Sequence, residues 1–391
     1  MDGDRVPGHQ ERRRPWWHVA SLVAARSAWV LLSVVALVGS GVAWATYQDL
    51  DGGVQRSDAI SDDAPRSEDG VNILVMGLTT RLDLNGEALP DDLLARLNAG
   101  ESDRGGYNAN TLMLLHVPDN GSPPTSMSIP RDDYVDFVGV SEGPLKGKIK
   151  EAYGRAKEIA ERSLPSKGIT DPREVERRGR EAGRKAQVET VRAFLNVPVD
   201  HLVEISLVGF YHLADAIGGV DVCLKKATKD PLSGADFVAG VQHLDAEQSL
   251  SFVRQRHGLP NGDLDRTKRQ QAFIAAVIRK LKDAGTFTDV GALQRLLDVA
   301  KKDVVLDRGW DILDFMRQAP SLTGGGARFH TLPIDGTAEI EGQTVNLVNP
   351  ITTQARVATM LAGIPLPKAT VSKAKATTTS PPPPPPIPCI D

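Results

Sequence analysis

Hydrophobic and polar positions divide the chain into an uncharged N-terminal run, a long patterned middle and an unpatterned tail. Ser27 to Tyr47, SAWVLLSVVALVGSGVAWATY, carries no charged residue. A run of that length predicts a transmembrane helix over 27–47, since a bilayer core takes roughly 20 apolar residues. Residues 48–70 are acidic, small and polar, and read as a flexible linker with a reach of roughly 25 Å. Val71 to Gly77 and Thr111 to Val117 are short apolar runs of buried-strand type. Asp119-Asn120-Gly121 turns the second run back into Thr125 to Ile129, a hairpin signature. The Gly/Asn/Asp-rich excursion 78–110 between the first two strands is long enough to suggest a functional or mobile loop. Helical periodicity predicts helices at about 150–163 and 173–196. A strand at His201–Leu207 precedes a helix at Val208–Ile217, which Gly218-Gly219 ends. A strand follows at Val220–Leu224, then a short helix at Asp245–Leu250 leading into a strand at Ser251–Arg256. Further helices are predicted over 263–284, 289–302, 309–319 and 350–362, with late strands at Ala327–Leu332 and Thr344–Val348. Strands and helices interleave without strict βαβ order, which predicts an α/β domain over 71–364 with a mixed central β-sheet flanked by helices. From 365 to 391 the chain is mostly Lys, Ala, Thr and Pro, with six consecutive prolines, and reads as an extended, unfolded tail.

Charge sharpens this organisation. The chain has 391 residues and a net charge of −4, so bulk charge does not suit it to nucleic acid and any anion site must be built locally. Arg12, Arg13, Arg14 and Arg26 precede the apolar run and place residues 1–26 in the cytoplasm, with 48–391 outside, by the positive-inside rule. A cleaved signal peptide is the competing reading; the run is longer than an h-region and lacks a small-x-small site beside it. Cys223 and Cys389 both fall on the outer side, where oxidising conditions permit a disulfide. Two free thiols are the alternative, and neither cysteine has metal-ligand spacing.

Cations gather at one place. If Ser251–Arg256 is a strand, its period of two puts Arg254 and Arg256 on one face. A helix starting near 263 puts Asp263, Arg266 and Gln270 on one face, and the turn at 258–262 folds the second element beside the first. Guanidinium forks bind phosphate oxygens bidentately, so the ligand implied is an anion with several phosphate oxygens. The alternative is a solvated helix face with surface ion pairs. Arg81 follows the first strand, Arg131 follows Ser128-Ile129-Pro130 with Asp132 and Asp133 behind it, and Lys148 lies in Lys146-Gly147-Lys148-Ile149-Lys150. No HExxH or Walker-type loop is present.

Several stretches recur together in a known order: Asn72-Ile73-Leu74-Val75-Met76-Gly77, Ser128-Ile129-Pro130-Arg131-Asp132, Lys148-Ile149 before Ala152-Tyr153, and Gly218-Gly219-Val220-Asp221-Val222. Leu244 to Leu250, Val253-Arg254-Gln255-Arg256-His257 and Arg266-Thr267-Lys268-Arg269-Gln270-Gln271 complete the set. In these the chain resembles the LytR-CpsA-Psr family of Gram-positive cell-wall assembly, closely over residues 71–285. Gly105 to Asn110 and the ending Ile387-Pro388-Cys389-Ile390-Asp391 resemble an actinobacterial branch. The resemblance implies a phosphotransferase that moves a glycopolymer from a polyprenyl-pyrophosphate carrier to peptidoglycan, usually a muramic-acid 6-hydroxyl, releasing polyprenyl phosphate. It implies that Arg81, Arg131, Arg254, Arg256 and Arg266 hold the pyrophosphate, that Lys148, Asp263 and Gln270 share the pocket, and that an apolar groove takes the lipid. It further implies a magnesium ion held by two aspartates, whose positions are here Thr79 and Asn110; these supply neutral oxygens only. That substitution motivates a second reading, a non-catalytic binder of lipid pyrophosphates in envelope assembly or regulation.

Overall fold

The computed structural model describes residues 53–100, 106–283, 290–311, 327–363 and 387–391. The basic segment 1–26, the span 27–47, most of the helix at 309–319 and most of the tail lie outside the described residues. Among the described residues no helix is long and apolar enough to cross a membrane. Everything below concerns the unit Val54–Asp391.

Seven strands form one mixed sheet: β1 (Gln55–Ser57), β12 (Val304–Asp307), β7 (His201–Ile205), β2 (Gly70–Leu78), β3 (Ala109–Pro118), β4 (Thr125–Ser128) and β13 (Arg328–Thr331), in that spatial order. β2 runs parallel to β7 and antiparallel to β3, so the mixed α/β expectation holds. Alternation along β2 sorts its side chains. Leu74, Met76 and Leu78 join Leu112, Leu114 and Met127 on one face, under Tyr153 of α2 (Glu151–Ser163) and Val188 and Val191 of α3 (Pro172–Leu195). Ile73, Val71 and Val75 face the other way, with Val117, Leu306 and Trp310. A third apolar cluster lies beside the sheet. It joins Val208 of α4 (Leu207–Ala216), Val222 of β8 (Val220–Leu224), Leu250 and Phe252 of α5 (Ala246–Arg254) and Phe273 of α6 (Asp263–Asp283).

The structure departs from the sequence pattern in several places. The linker predicted at 48–70 is part of the domain from Val54 onward. β1 pairs in parallel with β12, Ala59 and Ile60 are buried, and Arg56 Nη1 donates to the carbonyls of Asp307 and Trp310 at 3.1 and 3.0 Å. A three-residue edge strand, Gln-Arg-Ser, is held by backbone pairing and leaves no apolar signature. β12 itself, and β14 (Gly336–Ile340), whose partner is β15 (Gln343–Leu347), were not expected. Ser251–Arg256 is not a strand: an Asp245/Gln248 capping box starts α5 and the helix continues to Arg254. Finally, the predicted unfolded tail ends in order: β16 (Cys389–Ile390) pairs in parallel with β8, and a Cys223–Cys389 disulfide joins the two at a Cα–Cα distance of 4.3 Å.

Candidate active site

The carboxyl ends of β2 and β4 and the amino end of β3 meet at one edge of the sheet, because β3 runs antiparallel to both. Chain leaving these ends supplies Thr79, Arg81, Asn110 and Arg131. The end of α5 and the start of α6 come to the same edge. Between them Gln255 is fully buried and extended (φ −55°, ψ 131°). Its amide donates to Thr228 Oγ1 at 2.6 Å and to the His257 carbonyl at 3.0 Å, and accepts from buried Arg269 at 2.9 Å. An extended residue at 255 puts Arg254 and Arg256 on the same side, so the convergence expected from a strand is produced by the end of a helix and one locked glutamine. Gly258 makes the return turn at φ +77°; a Cβ there would stand 3.1 Å from the Lys229 carbonyl.

A cavity of about 240 Å³ results, lined by Arg81, Arg131, Arg254, Arg256 and Arg266 together with Thr79, Asp230, Leu232, Ser233 and His257. Arg254 donates to the carbonyl of Leu97 at 2.6 Å, and Arg81 to that of Ala99 at 2.7 Å. Asp263 stands behind the lining, 3.0 Å from Arg131 Nε and 3.1 Å from Arg266 Nη2, and Arg266 also donates to the Asn110 carbonyl at 3.0 Å. Burial depresses the Arg254 guanidinium, with the Arg81 charge adding to it. Burial, then the neighbouring Arg131, brings Arg266 down to about 10. Like charges have been packed together at a cost that an anionic ligand would relieve.

Lys148 and Gln270 lie beside the cavity, outside its lining. Lys148, on β6 (Lys146–Lys148), is 3.8 Å from Asp132, which also binds Lys150 at 2.6 Å and approaches Arg131 Nε to 3.7 Å. Burial raises the Asp132 pKa, but Lys150, Arg131 and Lys148 outweigh it and hold it below the carboxylate range. Gln270 braces α6, donating to Thr111 Oγ1 at 3.0 Å and the Val253 carbonyl at 3.4 Å. Asp230, Ser233 and His257 were not singled out from sequence, although His257 ends one of the recurring stretches. Beside α6 a second cavity, about 260 Å³ and mostly apolar, is lined by Ala272, Ala275, Phe329, Ile387 and Ile390 among others.

The magnesium expectation can be tested against the donors present. Asn110 Nδ2 donates to Thr79 Oγ1 at 2.6 Å, and Asn110 Oδ1 accepts from Arg131 Nη1 at 2.6 Å. The one amide oxygen of the pair is thus occupied by a guanidinium, and neither residue brings negative charge. Among the described residues no group of three or more Asp, Glu, His or Cys could hold a metal ion. Such a donor set does not fit a hard divalent cation, which takes its charge compensation from carboxylates or substrate phosphates.

The structure is thus a mixed α/β sheet with five arginines converging on one cavity at its edge. The sequence model of the LytR_cpsA_psr family matches residues 35–360, and the chain belongs to that family. It is 37% identical over 333 residues to the cell wall biosynthesis protein LcpA of Corynebacterium glutamicum, covering 82% of this chain and 62% of that one. It is 29% identical over 217 residues to the polyisoprenyl-teichoic acid–peptidoglycan teichoic acid transferase TagU of Bacillus anthracis, covering 55% and 61%. Its fold is similar to that of a LytR-Csp2A-Psr enzyme from Actinomyces oris, with a TM-score of 0.51 at 17% identity over 78% of this chain and 95% of that one. The chain therefore spans about three fifths of the length of these two curated relatives.

Proposed function

We propose that this protein transfers a glycopolymer from a polyprenyl-pyrophosphate carrier to peptidoglycan, and that it works outside the cell on a single N-terminal anchor at 27–47. The observation that carries the reading is the convergence of Arg81, Arg131, Arg254, Arg256 and Arg266 on one cavity. Phosphoryl transfer asks the protein chiefly to position the reactants and to neutralise charge. Guanidinium forks do both for a pyrophosphate: they fix its oxygens and stabilise the charge that builds on the departing polyprenyl phosphate. Asp263 orients Arg131 and Arg266, Lys148 acts on Arg131 through Asp132, and Gln270 holds the start of α6 in place. The apolar cavity beside α6 supports a lipid-linked donor. The Cys223–Cys389 bridge supports an oxidising compartment. Because Thr79 and Asn110 do not fit magnesium, no step here runs through a metal ion.

The test uses the full-length chain with a lipid-pyrophosphate-linked saccharide and a peptidoglycan glycan fragment, with and without magnesium. The expected result is covalent product and released lipid phosphate in both arms. Tight donor binding with no transfer in either arm favours the second reading, a non-catalytic lipid-pyrophosphate binder, which the neutral Thr79–Asn110 pair motivates. Neither binding nor transfer refutes both.

A further inference from the structure

The transferase reading leaves one requirement unmet: something must take the proton of the attacking hydroxyl. The five arginines of the cavity cannot accept it. Asp263 is paired with Arg131 and Arg266. Asp230 is 1% exposed, and its oxygens are already occupied. Oδ2 accepts from Ser233 Oγ at 2.9 Å and from the backbone N–H groups of Arg256 and His257 at 3.4 and 3.3 Å. Oδ1 accepts from the N–H of Leu232 at 3.0 Å and stands 3.6 Å from His257 Nδ1. His257 lines the same cavity and its side chain is 56% exposed.

We propose that His257 is the general base of the transfer and that Asp230 is its positioning residue; the assignment rests on the transferase reading above. An imidazole whose Nδ1 faces a buried carboxylate holds its proton there and presents Nε2 as the acceptor. Nucleophile, base and orienting group then follow the usual logic of an activated hydroxyl, and a separation slightly beyond hydrogen-bond length is common before substrate arrives. Burial pushes the Asp230 pKa up, but Ser233 and the surrounding N–H groups outweigh it and keep the carboxylate ionised, so it can stabilise an imidazolium. In the step, the acceptor O–H gives its proton to Nε2 while its oxygen forms a bond to the glycopolymer-bearing phosphorus. The bond from that phosphorus to the bridging oxygen breaks, and its electron pair leaves with polyprenyl phosphate. The charged groups lining the cavity with His257 are Asp230 from β9 (Thr228–Asp230), Arg81, Arg131, Arg266, Arg254 and Arg256.

The test compares wild type, His257→Gln and Asp230→Asn as full-length chains. The donor is farnesyl-pyrophosphate-linked N-acetylglucosamine, the acceptor is a peptidoglycan glycan fragment, and donor affinity and kcat are measured separately. His257→Gln is expected to retain donor affinity, to lose at least about 100-fold in kcat, and to lose the acid limb expected of the wild-type pH–rate profile. Asp230→Asn is expected to lower kcat and to shift that limb, again with donor affinity retained. A His257→Gln protein with wild-type kcat and an unchanged acid limb overturns the base assignment alone. Loss of donor affinity in place of kcat makes His257 a donor-binding residue and also overturns it. A wild type that transfers nothing overturns the transferase reading and this role with it.

Discussion

Replacing Glu204 with Gln tests what holds the sheet edge in place. Glu204 lies on β7 with its side chain 1% exposed, and accepts from Arg184 Nε at 2.8 Å and Arg184 Nη2 at 3.1 Å. Arg180, equally buried, brings Nη1 to 3.9 Å. Removing one member of a buried ion pair typically costs about 3–5 kcal/mol, because the remaining charge stays out of water. Here each arginine keeps a second carboxylate, Glu181 at 3.2 Å from Arg184 and Glu176 at 2.7 Å from Arg180. The expected loss therefore falls at the low end, about 3 kcal/mol. The same cluster reaches the cavity: Arg180 Nη2 donates to the Asp83 carbonyl at 2.5 Å, two residues past Arg81, and Glu204 pairs in register with Met76 on β2. Glu204→Gln should therefore weaken donor binding as well as stability, though residue 204 touches no part of the cavity. Urea unfolding of the full-length chain, followed by near-UV circular dichroism, reads the midpoint and slope. A variant within about 0.5 kcal/mol of wild type, the range of neutral surface changes, would refute the argument, as would a stabilised one.

Four further outcomes are expected. Arg254→Ala or Arg256→Ala should each cost at least about 1.5 kcal/mol in binding of a lipid pyrophosphate, the low end for charged hydrogen bonds, with the fold intact by circular dichroism; wild-type affinity in both would sink the polyanion pocket. Asp133 is fully buried beside Asn346, and burial, reinforced by Asp132, Asp263 and Asp335, raises its pKa well above the ordinary 3.8. Its contribution to stability is therefore fully present below the ordinary carboxylate range and is lost as pH rises toward the folded value; Asp133→Asn should gain on wild type in urea midpoint as pH increases, and a gain independent of pH counts against it. Cys389→Ser should lower unfolding free energy by about 2–5 kcal/mol, read in the same urea assay under non-reducing conditions. Thr79→Asp should introduce magnesium dependence of transfer where wild type shows little, and identical magnesium titrations of the two proteins would show that position 79 cannot become a ligand.

What the sequence reveals and what it hides follow one physical division. The strands β2 and β3 are largely buried and read as short apolar runs, β4 was found from the turn before it, and all three were placed within a residue or two. β1 is held at the sheet edge by backbone pairing and the polar contacts of Arg56 and Ser57, and the hydrophobic pattern carries no trace of such bonding. Arg254, Arg256 and Arg266 were legible from their spacing, and Arg81 and Arg131 through the family resemblance, since a lone cation reads as readily as a solvated one. The geometry that brings two of them together was not. Arg254 and Arg256 converge through the burial of Gln255 against Thr228 and Arg269, contacts that span 27 and 14 residues and have no local pattern. Asp230 and Ser233 were invisible for the same reason: Asp230 ends β9 and Ser233 lies in the turn after it, and only the fold carries them to His257.

The neutral pair at Thr79 and Asn110 changes how charge is distributed in the cavity. A carboxylate at position 110 would accept from Arg131 as the amide does now, and would cancel the guanidinium charge facing the ligand. With an amide there, Arg131 keeps its full charge and is oriented as well. Arg266 draws its second contact from the Asn110 carbonyl, which also orients without neutralising. Asp263 offsets the two of them from behind the lining, with Asp132 adding to it at Arg131. The work that a metal ion would perform on the phosphate oxygens then falls to fixed guanidinium groups. Burial and mutual repulsion make those groups costly to keep charged, as the depressed pKa of Arg254 and Arg266 indicates. A site of that kind relieves its own repulsion when a pyrophosphate enters. Its affinity should weaken with ionic strength less steeply than that of an exposed basic patch, because buried charges are poorly screened.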